Sequence, residues 1–200
     1  MEELQLCAQA EATGREALAG SARVPWAMHA VAHLMEMQGR FTEGSAWLAH
    51  WQADWTDGNG FQGHLGWHHA LLALIGSGDL LAARAWAASV TEHAELAPGH
   101  ARAVARDVGV PLMRGLLAFA EERFDDPVQT LYPLRAPAQR LGGSHAQRDL
   151  IVQTVLAAAA RAGNTSAGRA LLNERRLAKP ATSLTEHWAA RIAAAAHPST

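Results

Sequence analysis

The segment Pro25-Trp26-Ala27-Met28-His29-Ala30-Val31-Ala32-His33-Leu34-Met35-Glu36-Met37-Gln38-Gly39-Arg40-Phe41-Thr42 decides the fold. Ala27, Val31, Leu34 and Met35 recur at three- and four-residue spacing and share one face of a helix, whereas His29, His33, Glu36 and Arg40 fall in a narrow stripe on the other. The period-two alternation of a half-buried strand is missing. Gly39 stops the helix and Phe41-Thr42 starts another, so the segment reads as helix, tight turn, helix.

Working outward, the same punctuation returns at Gly78-Asp79-Leu80-Leu81, Arg123-Phe124-Asp125-Asp126-Pro127 and Gly163-Asn164-Thr165-Ser166. In the third, Asp126 is expected to cap the following helix, with Pro127 in its first turn. Ser144 with Gln147, and Ser183 with Glu186, have capping-box spacing. Taking Phe41, Leu80, Phe124 and Thr165 as equivalent points gives intervals of 39, 44 and 41 residues, longer than the roughly 34 of an ideal tetratricopeptide unit. Helices are expected over 2–18, 26–38, 42–55, 64–76, 79–95, 101–122, 127–140, 145–162, 166–178 and 183–196. The expected architecture is all-α: a tetratricopeptide-like stack of antiparallel helical hairpins, a short α-solenoid forming a single domain over 1–200.

Composition narrows the function classes. With 49% hydrophobic and 18% charged residues in 200, the chain can bury a core without disulfides or metals. The 17 basic and 19 acidic residues, taken as mixed along the chain, leave no field for a phosphate backbone or an anionic membrane. The expectation is therefore no nucleic acid and no membrane. Cys7 is the sole cysteine, which excludes an internal disulfide and zinc motifs built on paired thiolates. Glu2 and Glu3 stand where a signal peptide carries basic residues, and no apolar run spans a bilayer, so a cytoplasmic protein is expected.

The candidate site is a set of histidines. His64 and His68 repeat the spacing of His29 and His33 at an offset of 35 residues, and equivalent positions of adjacent repeats line one surface. Their helix also carries Leu65, Trp67, Leu71, Leu72, Leu74 and Ile75, so it should be buried on most sides. A third segment, Gly142 to Asp149, starts a helix whose positive end would favour neutral His145 and could receive an anion, aided by bidentate Arg148. His29, His33, His64, His68 and His145 are the catalytic candidates, and Glu36, Arg40, Trp67, Arg148 and Asp149 the ligand-binding ones. His29, His33, Glu36, His64 and His68 form the candidate ligand set for a divalent metal, the one cofactor considered. A zinc peptidase is excluded, because Ala30 stands where that motif needs glutamate. Competing explanations are an internal polar network that fixes helix stacking and, for Ser144 to Asp149, a capped helix start with a surface ion pair. Trp47, Trp51 and Trp55 form a stripe better suited to inter-helix core than to ligand contact.

The stretch Pro25 to Arg40, with His64 to Leu72 and Gly142 to Asp149, resembles the tetratricopeptide repeat protein 38 family. The resemblance implies a repeat fold and corresponds to the C-terminal part of longer members that carry further repeats upstream. It transfers no catalytic residue. The functional expectation is a binding module that holds a small ligand or partner segment in a histidine-lined concave surface. The alternative is a small enzyme, with or without a metal, that hydrolyses, eliminates or rearranges a small acidic substrate with the same histidines. A homodimer is expected on the ground that exposed hairpin ends need capping.

Overall fold

A computed structural model describes residues 2–21, 24–56, 74–97, 99–142, 145–178 and 182–196, with backbone alone at 2–5, 37, 55, 56 and 145–147. The protein is all-α, and no strand occurs among the described residues. The elements are α1 (Glu2–Gly20), α2 (Pro25–Met37), α3 (Phe41–His50), α4 (Gln52–Thr56), α5 (Leu80–Leu96), α6 (Gly99–Val104), a π-helical turn (Ala105–Gly109), α7 (Val110–Ala120), α8 (Asp125–Leu131), two 3-10 turns (Pro133–Arg135 and Pro137–Leu141), α9 (His145–Arg161), α10 (Thr165–Ala178) and α11 (Ser183–Ala195). They group into two compact units, Met1–Arg102 and Ala103–Thr200.

In the first unit α2 packs against both α1 and α3. Leu18, Ala27, Met28, Ala32 and Leu48 form its core cluster, with Val24, Trp47, Trp51 and Trp86 laid against it. Trp47 also donates its indole N–H to the Met28 carbonyl at 3.1 Å, so the ring is both packed and satisfied. A β-carbon on Gly14 of α1 would lie 2.6 Å from Cγ2 of Val31; only glycine lets α2 approach so closely there.

In the second unit α7 and α8 form one hairpin, and α9 touches α8, α10 and α11. Val155, Leu156, Ala158 and Ala159 of α9 are fully buried, and each large aliphatic side chain so buried contributes about 1.5–3 kcal/mol. Gly115 and Gly168 repeat the role of Gly14, facing Leu131 and Ile192 across their helix pairs.

All four predicted breaks are built alike. The N–H groups of Arg40, Asp79, Arg123 and Asn164 donate to the carbonyls of Met35, Leu74, Ala118 and Ala159 at 2.8, 2.9, 3.0 and 2.9 Å. The residue before each donor has a positive φ: Gly39 at 71°, Gly78 at 81°, Glu122 at 60° and Gly163 at 69°. This six-to-one hydrogen bond over a left-handed residue satisfies a helix's last carbonyls and turns the chain. Asp79 and Asn164 then cap the next helix by accepting from the N–H of Ala82 at 3.0 Å and of Ala167 at 3.1 Å.

Several local expectations are corrected. Asp126 does not cap α8; it lies inside the first turn and pairs with Arg123, and Phe124 takes the cap position without a side-chain bond. At α11 the cap is Thr182, whose Oγ1 accepts from the Thr185 N–H at 3.2 Å, one residue earlier than Ser183. The helix expected over 42–55 breaks at Trp51. That expected over 127–140 ends at Leu131, because Pro133 and Pro137 lack the N–H groups an α-helix needs and open 3-10 turns instead. Pro111 likewise removes a donor and crowds the carbonyl four residues back, and the π turn Ala105–Gly109 just before it absorbs that mismatch. The helix expected over 64–76 and the Ser144 cap lie outside the described residues, save for the turn after Leu74.

The unit boundary also corrects the reading of the charges as evenly mixed. The first unit holds five basic and eleven acidic residues, and the second twelve basic and eight acidic. Aromatic residues divide unevenly too: Trp26, Trp47, Trp51, Trp55, Trp67 and Trp86 belong to the first unit, and Trp188 with the sole tyrosine, Tyr132, to the second.

Candidate functional site

Pro25 sits in the first turn of α2, where its fixed φ favours the helix and its missing N–H costs nothing. The inward side of α2 buries Ala27, Met28, Val31, Ala32 and Met35. The other side carries a ladder in sequence order. Trp26, 68% exposed, meets His29 edge-on at 6.1 Å between ring centroids. His29 meets His33 edge-on at 4.4 Å. Nδ1 of His33 lies 3.2 Å from Oε2 of Glu36, with about a quarter of each side chain accessible. The ladder follows from spacing: about one helical turn separates each member from the next, and i, i+3 and i+4 side chains are neighbours on a helix surface.

A carboxylate beside Nδ1 favours the tautomer with the proton on that nitrogen and leaves Nε2 as the acceptor. This is the arrangement needed by a hydrogen-bond acceptor, a general base or a metal ligand, and by itself it does not choose among them.

Arg40 leaves the stripe. Its guanidinium contacts Glu11 of α1 at 2.7 Å, Glu43 of α3 at 2.5 and 2.8 Å, and Gln38 at 2.8 Å, while Arg15 bonds Glu11 at 2.7 Å and stacks 4.6 Å over Trp47. The Arg40 guanidinium beside Glu11 holds that carboxyl below its usual value against the opposing effect of burial, with Arg15 assisting. The same guanidinium lowers Glu43, and Arg40 itself is raised, chiefly by Glu43. These four side chains clamp α1 to the turn between α2 and α3. Sequence reasoning missed Glu11 and Arg15; their i, i+4 spacing was the available signal.

In the second unit α9 begins at His145 as expected. Asp149 is engaged by the buried Arg175 of α10, through a short Nη1 contact and Nη2 at 3.1 Å, and also accepts from Gln153 at 3.0 Å. Arg175 donates through Nε to Thr185 of α11 at 3.2 Å, and Thr185 contacts Thr182 at 2.9 Å. One guanidinium thus ties three helices. Arg148 is half-buried next to this knot in sequence.

The structure therefore brings His29, His33 and Glu36 together, with Trp26 at their end, and directs Arg40 and Asp149 into ion pairs. His64, Trp67, His68 and the side chain of His145 lie outside the described residues. Among the described residues, no three histidine, cysteine or acidic side chains are placed to hold a metal ion. His50, His93 and His187 are exposed and lie outside this cluster. Among the described residues no helix is long and apolar enough to cross a membrane. No family model matches the sequence, and no solved structure matches the chain.

Proposed function

We propose that the protein is a helical-repeat binding module that holds a small organic ligand or partner segment against the Trp26–His29–His33–Glu36 ladder of α2. The observation that carries this reading is the His33–Glu36 pair, about a quarter accessible on the side of α2 away from its core, with imidazole and indole rings meeting edge-on beside it. Apolar ring surface with a few oriented polar atoms is what small-ligand sites use. The repeat architecture is supported by the four like-built turns at residues 39, 78, 122 and 163 and by the glycine contacts at 14, 115 and 168. The quoted resemblance to the tetratricopeptide repeat protein 38 family agrees with it.

Native mass spectrometry with elemental analysis of untagged protein tests this reading. The expected result is an organic mass above the 21.3 kDa chain, released on denaturation and diminished at least tenfold in Trp26→Ala and His33→Ala variants with unchanged circular dichroism. A native mass equal to the bare chain would sink it. Stoichiometric metal in place of the organic mass would move the assignment to His29, His33, His64 and His68 as ligands. The enzyme reading is favoured by one feature alone, the carboxylate-oriented imidazole of His33, a general base in form.

A further inference from the structure

Two helix faces, one in each unit, are uncovered and complementary. On α5 the exposed side gathers Leu81, Arg84, Ala85, Ala88, Glu92, Glu95 and Leu96 within about a third of the helix circumference, with Leu81 77% and Leu96 79% accessible. Its opposite side is occupied, since Ala83 and Ala94 are buried and Trp86 packs on the first unit's core. On α10 the exposed side gathers Arg169, Ala170, Asn173, Arg176 and Leu177, the last 89% accessible. Of the other charges of α10, Arg175 is committed to Asp149 and Glu174 to Arg135 at 2.6 and 2.7 Å, while Arg176 of the exposed face makes a solvent-exposed ion pair with Glu186 of α11 at 3.5 Å, cheap to exchange for another carboxylate.

Each face is an exposed leucine in a small-residue surround with charge of one sign predominating, acid on α5 and base on α10. The same contrast holds for the units that carry them, with a formal charge of −6 on the first and +4 on the second. Apolar anchors ringed by opposite charge mark association surfaces, since charge steers the encounter and the desolvated leucine holds it. We propose that the occupant of each face is a second copy of this chain, α5 of one copy meeting α10 of the other. Glu92 and Glu95 are set against Arg169 and Arg176, and Leu81 and Leu96 against Leu177. This inference does not depend on the histidine ladder. Two helix faces of this length, about 20–25 Å, make a small interface, so the association is weak and sensitive to salt, whose screening length is about 10 Å at 0.1 M.

Sedimentation velocity of the full chain from 5 to 500 µM decides it. In 50 mM salt the average mass should climb with concentration from 21.3 kDa toward at least twice that. Raising the salt to 500 mM should weaken the association at least tenfold. Leu177→Glu should abolish it with unchanged circular dichroism. The pairs Glu92→Arg/Glu95→Arg and Arg169→Glu/Arg176→Glu should each be monomeric alone and associate when mixed. A monomer throughout in low salt, association indifferent to salt, or failure of the mixed pairs to associate would overturn the proposal and assign the faces to a different partner.

Discussion

The two units treat buried and surface polar groups in opposite ways. In the second, Arg175, Asp149, Thr185 and Thr182 close on one another inside a three-helix junction, with the arginine only 9% accessible. In the first, His33 and Glu36 pair within one helix and keep about a quarter of each side chain in contact with water. Both clusters look alike in sequence, as polar residues on helices otherwise rich in alanine and leucine. The difference is cost. Removing one partner of a buried, hydrogen-bonded ion pair strands the other charge, whereas a pair open to water is rehydrated. The first kind holds a fold together; the second can be given to a ligand at little expense in stability.

Substitutions can break that contrast. Arg175→Ala should be the most damaging, costing about 3 kcal/mol in urea denaturation because Asp149 is left without its counter-charge; a loss under 1 kcal/mol would mean the knot is not what joins α9, α10 and α11. The Glu11–Arg40 clamp is intermediate, and Arg40→Ala should cost about 1 kcal/mol at neutral pH. Its pH dependence has a defined sign. The folded-state value of Glu11 is depressed, so its contribution is complete above the ordinary value of 4.5 and is lost as pH falls through the depressed one. An acid melt of the wild type should therefore lose stability below about pH 4.5 more steeply than Arg40→Ala. Glu122→Gly should stabilise by about 0.5–1 kcal/mol, because a left-handed φ of 60° costs a side-chain-bearing residue what it does not cost glycine. His33→Ala should shift stability by less than about 0.5 kcal/mol while abolishing ligand retention. Equal losses for His33→Ala and Arg175→Ala would erase the distinction.

The helices and their turns were legible because their chemistry is local. Gly39, Gly78 and Gly163 announce their turns through φ, and the apolar spacing of α2 announces its buried side. The turn at Glu122 was found without a glycine because Asp126-Pro127 marked the next start, although the function assigned to Asp126 was mistaken. What could not be read was tertiary. Nothing in the sequence near Arg40 names Glu11, 29 positions away, and nothing near Asp149 names Arg175. Both were assigned to a ligand because ion pairs across separate helices leave no periodic trace. The prolines at 133 and 137 were a local signal, and the helix expected over 127–140 was drawn too long. At the candidate site, the ladder of Trp26, His29, His33 and Glu36 follows from helical spacing alone.

The division of the aromatic residues has an optical consequence. Trp188 is the only indole of the second unit, and its buried N–H has no hydrogen-bond partner; the other six belong to the first. Replacing Trp188 by phenylalanine leaves tryptophan emission as a signal of the first unit alone, while the emission lost with Trp188, taken as the difference from the wild type, follows the second. The chain thus carries its own label for each half, by which the melting of one can be followed against the other without any dye attached.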